Sequence, residues 1–398
     1  MKELIFVFVL VLVGSLVVDC GGIYLSQITM NFLLRCLLCG ILVTSLAWAQ
    51  SPPPLTRGSR TISTAVPFLG MEDEARSTGF GRITAVAPLG YYATGLDGNP
   101  ATLAQGSRSF GGYTTISPRF SAIPEWSIQL GGWLPLNESH TLGIQANAFS
   151  YDGDFWGEPS SGSGWERNLG LRYALVLSPM VSMGIGFNFF QSYLHFPRWT
   201  APSRTLGASA DWGLWLHREN HSTDLGTHWQ VGLSVQDLGP KLDYPLFPAN
   251  RNPTFIPTRL KLGGLFGFQF FEALDLDLAY QAQKMLVPSV GANQETGAIA
   301  GAFQSFADSP EGLVGEWREV RHHLGLEIRW RAEGWWLAAR IGYTYEHEFV
   351  GSRQTLDFGA SVGYRGIRFD GGVSYRLNSP TPSFSSLTTF GLVCAFGN

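Results

Sequence analysis

The sequence predicts an all-β protein, a 14-stranded antiparallel transmembrane β-barrel. Three observations carry this expectation. Apolar and polar residues alternate with period two through most of the chain beyond residue 110, as in strands with one face in an apolar medium. The segments between the alternating runs sort by parity into short and long. The composition holds 48 glycines and 13% aromatic residues but only 15% charged residues, low for a soluble chain and suited to strands that meet lipid on one side. The net charge of −4 invites no nucleic-acid partner.

The chain opens on two apolar runs. The second starts at Met30, with Arg35 as basic flank, an apolar core over 36–46, and Ala47-Trp48-Ala49 before Gln50. That is the pattern of a secretory signal with an A-x-A cleavage site. We therefore read 1–49 as a leader, Met30 as the start, and Gln50 as the mature N-terminus. The first run, 4–18, is short for a bilayer span; a membrane anchor is the alternative. Of the four cysteines, Cys20, Cys36 and Cys39 fall in this leader. Cys394 alone would remain, a small apolar side chain in a strand with no partner for a disulfide. Residues 50–106 follow as a periplasmic lead and an irregular, Gly- and Pro-rich segment; the barrel is expected over 107–398.

A weak strand at 110–116 precedes thirteen clearer ones. The apolar sets begin with Trp126, Ile128 and Leu130, then Leu142 and Ile144, then Leu169 and Leu171, and continue to Phe390, Leu392 and Phe396. The opposite faces carry seven bases (Arg172, Arg259, Lys261, Arg329, Arg331, Arg340, Arg368) and seven acids (Asp211, Asp275, Asp277, Glu327, Glu346, Asp357, Asp370). A selective pore would show one sign. Equal numbers read as a paired lining that braces the barrel. Trp330, Trp335, Trp336, Tyr343, Tyr345, Tyr364 and Tyr375 lie near strand ends, as interfacial girdles do. His322 and His323 must face opposite ways.

Short periplasmic turns and long external loops are the habit of outer-membrane barrels. With the first strand rising from the periplasm, all long loops fall outside and both termini fall in the periplasm. The 238–257 connection is then external. Five prolines stiffen 237–264, and Tyr244, Leu246, Phe247, Phe255 and Ile256 are costly to leave in water. Two readings stand at this point: a partner-binding loop, or a loop folded back over its own barrel mouth. In the long connection after residue 288, Ser309-Pro310-Glu311 reads as a helix start. A helix over 310–318 would place Leu313, Val314 and Trp317 on one face.

No catalytic constellation emerges. Gly359-Ala360-Ser361-Val362-Gly363 fits G-x-S-x-G, but alternation runs straight through it and no helix follows, as a nucleophile elbow requires. No Cys/His set has zinc spacing. We expect no enzyme activity, no cofactor and no metal.

Specific motifs add a resemblance. Asn99-Pro100-Ala101 resembles the N-P-A element of the hatch in FadL-like outer-membrane proteins, fourteen-stranded barrels with an N-terminal plug. "GMEDEARSTGFGRITAV", with Glu74-Ala75-Arg76, looks like the D-A-R lead of the PorV family of the type IX secretion system. "DLGPKLDY", "FIPTRLKLGG", "QKMLVPS", "GAFQSFADSPEGLVGEWREV" and "RIGYTYEHEFVGSRQTLDFGASVGY" are similar to further motifs of that family, in order. Asp237 and Ser289 depart from its usual Asn and Thr, and Ser117-Pro118-Arg119 stands where P-W is usual. The resemblance implies an outer-membrane carrier without catalysis. Its partners would be a SprA-like type IX translocon, cargo with C-terminal sorting domains, a PorU-like sortase attachment complex, and outer-membrane lipid. The partner-binding residues would be Tyr244, Leu246, Phe247, Phe255, Ile256 and Pro257, with Met285, Leu286, Val287 and Pro288. A FadL-type channel for hydrophobic small molecules is the alternative.

Overall fold

The computed structural model describes residues 62, 64–88, 90–120, 124–152, 163–195, 203–220, 225–243, 253–270, 273–288, 296–378 and 387–396. The expected leader and its cleavage site lie outside these residues.

Fourteen strands follow one another: β1 (Phe110–Phe120), β2 (Pro124–Pro135), β3 (His140–Asp152), β4 (Ser163–Ser178), β5 (Val181–His195), β6 (Ser203–Asn220), β7 (Leu225–Leu238), β8 (Arg259–Phe270), β9 (Leu274–Met285), β10 (Arg321–Ala332), β11 (Trp335–Tyr345), β12 (Gln354–Tyr364), β13 (Ile367–Arg376) and β14 (Leu387–Phe396). Each pairs antiparallel with the next, and β1 closes on β14 with Phe110 opposite Phe396. Closure leaves no strand edge, the condition for strands to cross hydrocarbon. No described helix is long and apolar enough to cross a membrane; the strands do it.

The period-two pattern decides which side chains go where. Leu130, Ile144, Leu171, Phe187, Phe266, Leu278, Leu324, Phe369 and Phe390 point outward and are exposed in the isolated chain. Their strand neighbours Gln129, Gln145, Arg172, Asn188, Asp277, His323 and Asp370 point inward and are buried. One expected girdle residue belongs to the other face. Trp336 shares the inward parity of Arg340 on β11 and meets the Tyr91 ring edge-to-face at 5.8 Å. The pair Trp335-Trp336 cannot lie on one face of a strand, and only Trp335 faces out.

β1 runs through Pro118, where the expected strand stops at 116. The β1–β14 ladder passes from Ile116↔Phe390 to Arg119↔Leu387 without using Ser117 or Pro118. The missing proline N–H therefore costs no bond on that side, while the β2 side pairs Pro118 with Trp126.

The connections at one end are short, with Glu333-Gly334 and Arg365-Gly366 at positive φ in tight turns. At the other end, 239–258 and 286–320 are long. This end, the long-loop end, holds two short helices in the β9–β10 connection: α3 (Ala298–Gln304) and α4 (Leu313–Arg318). The expected helix at 310–318 is present but starts three residues later. Gly312, at φ 58°, breaks the backbone before it, and Pro310-Glu311 form the turn instead. The other helix was not anticipated.

Residues 64–108 pack inside the barrel. They carry two further short helices, α1 (Ala75–Gly79) and α2 (Thr94–Asp97), and a 3-10 stretch over Pro100–Arg108. Glu74 caps α1: its carboxylate accepts from the Arg76 and Ser77 amides at 3.2 and 2.7 Å.

Candidate functional site

The lumen is built from paired charges, and the internal segment supplies several of the partners. Arg259 donates to Glu72 at 2.8 Å and to Asp237 at 2.5 Å, and also to the Leu69 carbonyl at 2.9 Å. Lys261 of the same strand pairs with the same Glu72 oxygen and donates to Thr84 Oγ1 at 2.8 Å. Burial alone would raise the Glu72 carboxyl, but the two cations outweigh it and hold it down to about 2. At Asp97 the pull of Lys261 is outweighed. Burial, with Glu72 close by, pushes it up to about 7, and part of its surface borders a cavity of about 30 Å³ also lined by Asn168, Arg172, Gln236 and Asp237.

A second knot surrounds Tyr91. The guanidinium carbons of Arg76, Arg329, Arg340 and Arg368 lie 4.7, 5.6, 5.3 and 4.4 Å from its ring centroid, and Arg340 Nη2 donates to its hydroxyl at 2.6 Å. Glu327 answers Arg340 and Arg76, Asp370 answers Arg368 at 2.7 Å, and Asp275 answers Arg329 at 2.8 Å. Four cations on one aromatic ring use its negative face; the carboxylates between them keep the group near neutral. Asp275 also binds Arg331. The balanced lining expected from composition is thus a set of specific pairs, across strands, along one strand (Arg368–Asp370) and between wall and internal segment.

The expected hatch residues sit deep in the lumen. Asn99 Nδ2 donates to the carbonyls of Ala85 and Leu214, at 2.9 and 3.0 Å, while its Oδ1 accepts from Ala101 N at 3.0 Å. Asn99 therefore ties the internal segment to β6 and caps the stretch that Pro100 begins. The approach is close enough to demand glycine in the wall. A Cβ on Gly213 would stand 1.9 Å from Asn99 Oδ1, and one on Gly184 would stand 2.4 Å from Ala101 N.

The described part of the proline loop folds back over the internal segment. Leu242 and Thr254 exchange backbone bonds of 2.9 and 2.8 Å, and Ala65 N donates to the Phe255 carbonyl at 2.8 Å. Ile256 is buried among Ala65, Val66, Phe68, Leu69, Phe149, Phe190 and Leu194. Pro257, Leu286, Val287 and Pro288 are buried as well, while Phe255 and Met285 keep partial exposure. Ile256, Pro257, Leu286, Val287 and Pro288, the expected partner-site residues, are thus buried within the chain, Ile256 against the apolar internal segment. Tyr244, Leu246 and Phe247 lie outside the described residues.

Among the described residues, exposed apolar side chains at this end gather around α3 and α4. Ile299, Phe303 and Phe306 around α3, and Leu313, Val314 and Trp317 on α4, are all exposed. The α3 residues were missed, although their i, i+4, i+7 spacing is a helical signal. Beside them Asp308, Glu316 and Glu319 bring carboxylate oxygens within 4.8 Å of one another. Such a group could hold a cation, and a protein ammonium does part of that work: Lys284 lies 2.9 Å from Glu316 and 2.5 Å from Glu319.

A larger cavity of about 370 Å³ opens nearer the short-turn end, lined by Tyr91, Glu219, His228, Asp275, Arg329, Arg331 and Trp336. Its lining is charged and aromatic. Ser361, of the G-x-S-x-G match, sits in mid-strand β12 and donates to Asp370, with no strand–turn–helix around it.

These features define a class: an outer-membrane β-barrel whose lumen holds residues 64–108 of its own chain and is cross-braced by ion pairs. Within that class the chain belongs to the PorV family; the family model for type IX secretion system protein PorV matches residues 55–292. No curated protein matches the chain. Among solved structures it is similar to the CymD monoaromatic hydrocarbon channel, at 12% identity over 82% of this chain and 98% of that one, with a TM-score of 0.48. It is similar also to the Ralstonia pickettii toluene transporter TbuX, at 12% identity over 81% and 97%, TM-score 0.42. A Pseudomonas aeruginosa FadL homologue matches at 10% identity over 85% and 99%, TM-score 0.42.

Proposed function

We propose that this chain is the outer-membrane carrier of a type IX secretion system. It receives cargo by C-terminal sorting domains at a SprA-like translocon and delivers it to a PorU-like sortase attachment complex. The observation that carries this reading is the family match over residues 55–292, joined to a lumen packed with protein and buried ion pairs. Function then falls to the surface at the long-loop end, and the chain acts without catalysis. In this reading the long loops face outward and the termini face the periplasm.

The tip of the proline loop is the cargo or translocon contact. Tyr244, Leu246 and Phe247 carry the binding energy, with Phe255 and Met285 at its margin. Ile256, Pro257 and Leu286 to Pro288 form the base that holds the tip. A channel for hydrophobic small molecules is served poorly by the cavity of about 370 Å³, which places Glu219, Asp275, Arg329 and Arg331 beside Tyr91 and Trp336.

The experiment is purification of the tagged protein from its own outer membrane, with identification of what co-elutes. Proteins carrying β-sandwich sorting domains are the expected result. Recovery of the barrel with hydrophobic small molecules and no such proteins would sink the carrier reading.

A further inference from the structure

In the β9–β10 connection α3 packs at Gly301 on Phe255 and Pro288, whereas α4 lies against the outer wall of the barrel. Two contacts fix this. Lys284 has the outward parity of Leu278 and Tyr280 on β9, yet only 7% of it is exposed, because Glu316 and Glu319 of the α4 turn bind its ammonium and Phe306 lies 6.0 Å from it. Trp317 meets the ring of His322 at 5.1 Å. His322 is outward on β10, and it bonds the hydroxyl of Tyr280 at 2.7 Å, with Tyr345 of β11 on its other side. Tyr280, His322 and Tyr345 are the aromatic rim of the lipid-facing belt at this end.

The charges of α4 are all used within the protein. Glu316 and Glu319 take Lys284, and Arg318 takes Glu311 and covers the Phe349 ring at 5.1 Å. Glu311, Arg318 and Gln304 keep some exposure, and around them the large exposed side chains are apolar: Ile299 at 65% exposure, Phe303 at 75%, Leu313 at 86% and Trp317 at 63%. This surface adjoins the lipid-facing face of β9 and β10 at Tyr280 and His322, where Trp317 meets the His322 ring. An apolar helical face beside an aromatic girdle is the arrangement of a segment seated in the membrane interface.

We propose that α3 and α4 form a membrane-seated foot, with Phe303, Leu313 and Trp317 inserted among the lipids of the leaflet at the long-loop end. The foot sets the height and tilt of the barrel and anchors one side of the loop face.

The test uses the full chain in phosphatidylcholine nanodiscs, with its native cysteines replaced by alanine. A nitroxide is placed at Phe303→Cys or Leu313→Cys, with Leu278→Cys as the lipid-facing reference and Glu138→Cys as the reference in a short turn. Collision with molecular oxygen and with a water-soluble nickel chelate is read at each site. The expected result is an oxygen-to-nickel ratio at 303 and 313 that matches 278 and exceeds 138 several-fold. Ratios at 303 and 313 equal to that at 138 would overturn the proposal, since the face would then be in water and open to a protein partner. Shielding from both reagents would overturn it too, since the face would then be covered by protein, such as a second copy. All four positions are exposed, so the labelled chains are expected to keep the heat-modifiable mobility of the barrel. No cargo or translocon takes part, so failure here leaves the carrier reading standing, and failure of co-purification leaves the foot standing.

Discussion

Glu72 of the internal segment and Arg259 of β8 form an ion pair at 2.8 Å, with Lys261 on the same carboxylate oxygen. One acid thus bridges two buried cations, with Asp237 as the second acid on Arg259, and the internal segment is fastened to the wall through Glu72. We expect Glu72→Gln to destabilise the folded barrel by about 3–5 kcal/mol, since Lys261 is left as an uncompensated buried charge. The pH dependence has a definite sign. The carboxyl is held at about 2, below its ordinary 4.5, so its stabilisation is fully present above pH 4.5 and is lost as pH falls from there toward 2. Heat-modifiability on gels, scanned across that window for the wild type and the Gln variant, checks both. An identical acid limb in the two proteins would refute the role.

Asp97 works in the opposite direction. Its carboxyl is raised to about 7 from an ordinary 3.8, so ionising it opposes the fold. Its penalty is absent below pH 3.8, grows as pH rises through 7, and is complete above that. Asp97→Asn is expected to be more heat-stable than the wild type at pH 8 and indistinguishable from it near pH 4. Equal melting at pH 8 would show that the group ionises without cost.

Asn99 and Gly213 meet where the internal segment touches β6. A methyl group at Gly213 would stand 1.9 Å from Asn99 Oδ1, so Gly213→Ala must push the segment off the wall, at a cost of about 1–3 kcal/mol. Adding Asn99→Ala removes the clashing oxygen. The double variant is therefore expected to lose less than the sum of the two single losses, the sign of a contact pair in a double-mutant cycle. Urea melts of the four proteins measure it, and simple additivity would count against the contact.

Ile256 and the loop tip should separate in their effects. Ile256→Ser places a hydroxyl in the apolar cluster beneath the mouth and should cost about 2–4 kcal/mol, with less barrel in the membrane. Tyr244→Ser combined with Phe247→Ser should leave barrel abundance unchanged and cut surface delivery of sorting-domain cargo sharply, with cargo held behind the membrane. Quantifying barrel and surface cargo in the same cells distinguishes the two. Normal delivery by the Tyr244/Phe247 variant at normal abundance would remove the tip from the binding surface.

Much of the barrel was legible along the chain, because its determinants are local. A strand between lipid and lumen must alternate, so Leu169, Leu171 and Arg172 declare their faces without reference to any other strand. The count of strands and the parity of the connections follow from the same alternation, and the balance of seven bases and seven acids follows from the inward set. Tertiary structure decided what each inward charge meets. Glu72 and Lys261 are far apart in sequence, and their pairing depends on strand closure and on an internal segment with no periodic signature. Trp336 and Ile256 show the limit most plainly. Each looked like a surface residue from its neighbours in sequence, at a girdle and in a loop, and each is turned inward by a partner, Tyr91 or Phe68, that only closure of the barrel around residues 64–108 brings within reach. Burial of an apolar side chain depends on what stands opposite it in space, and one chain position does not contain that information.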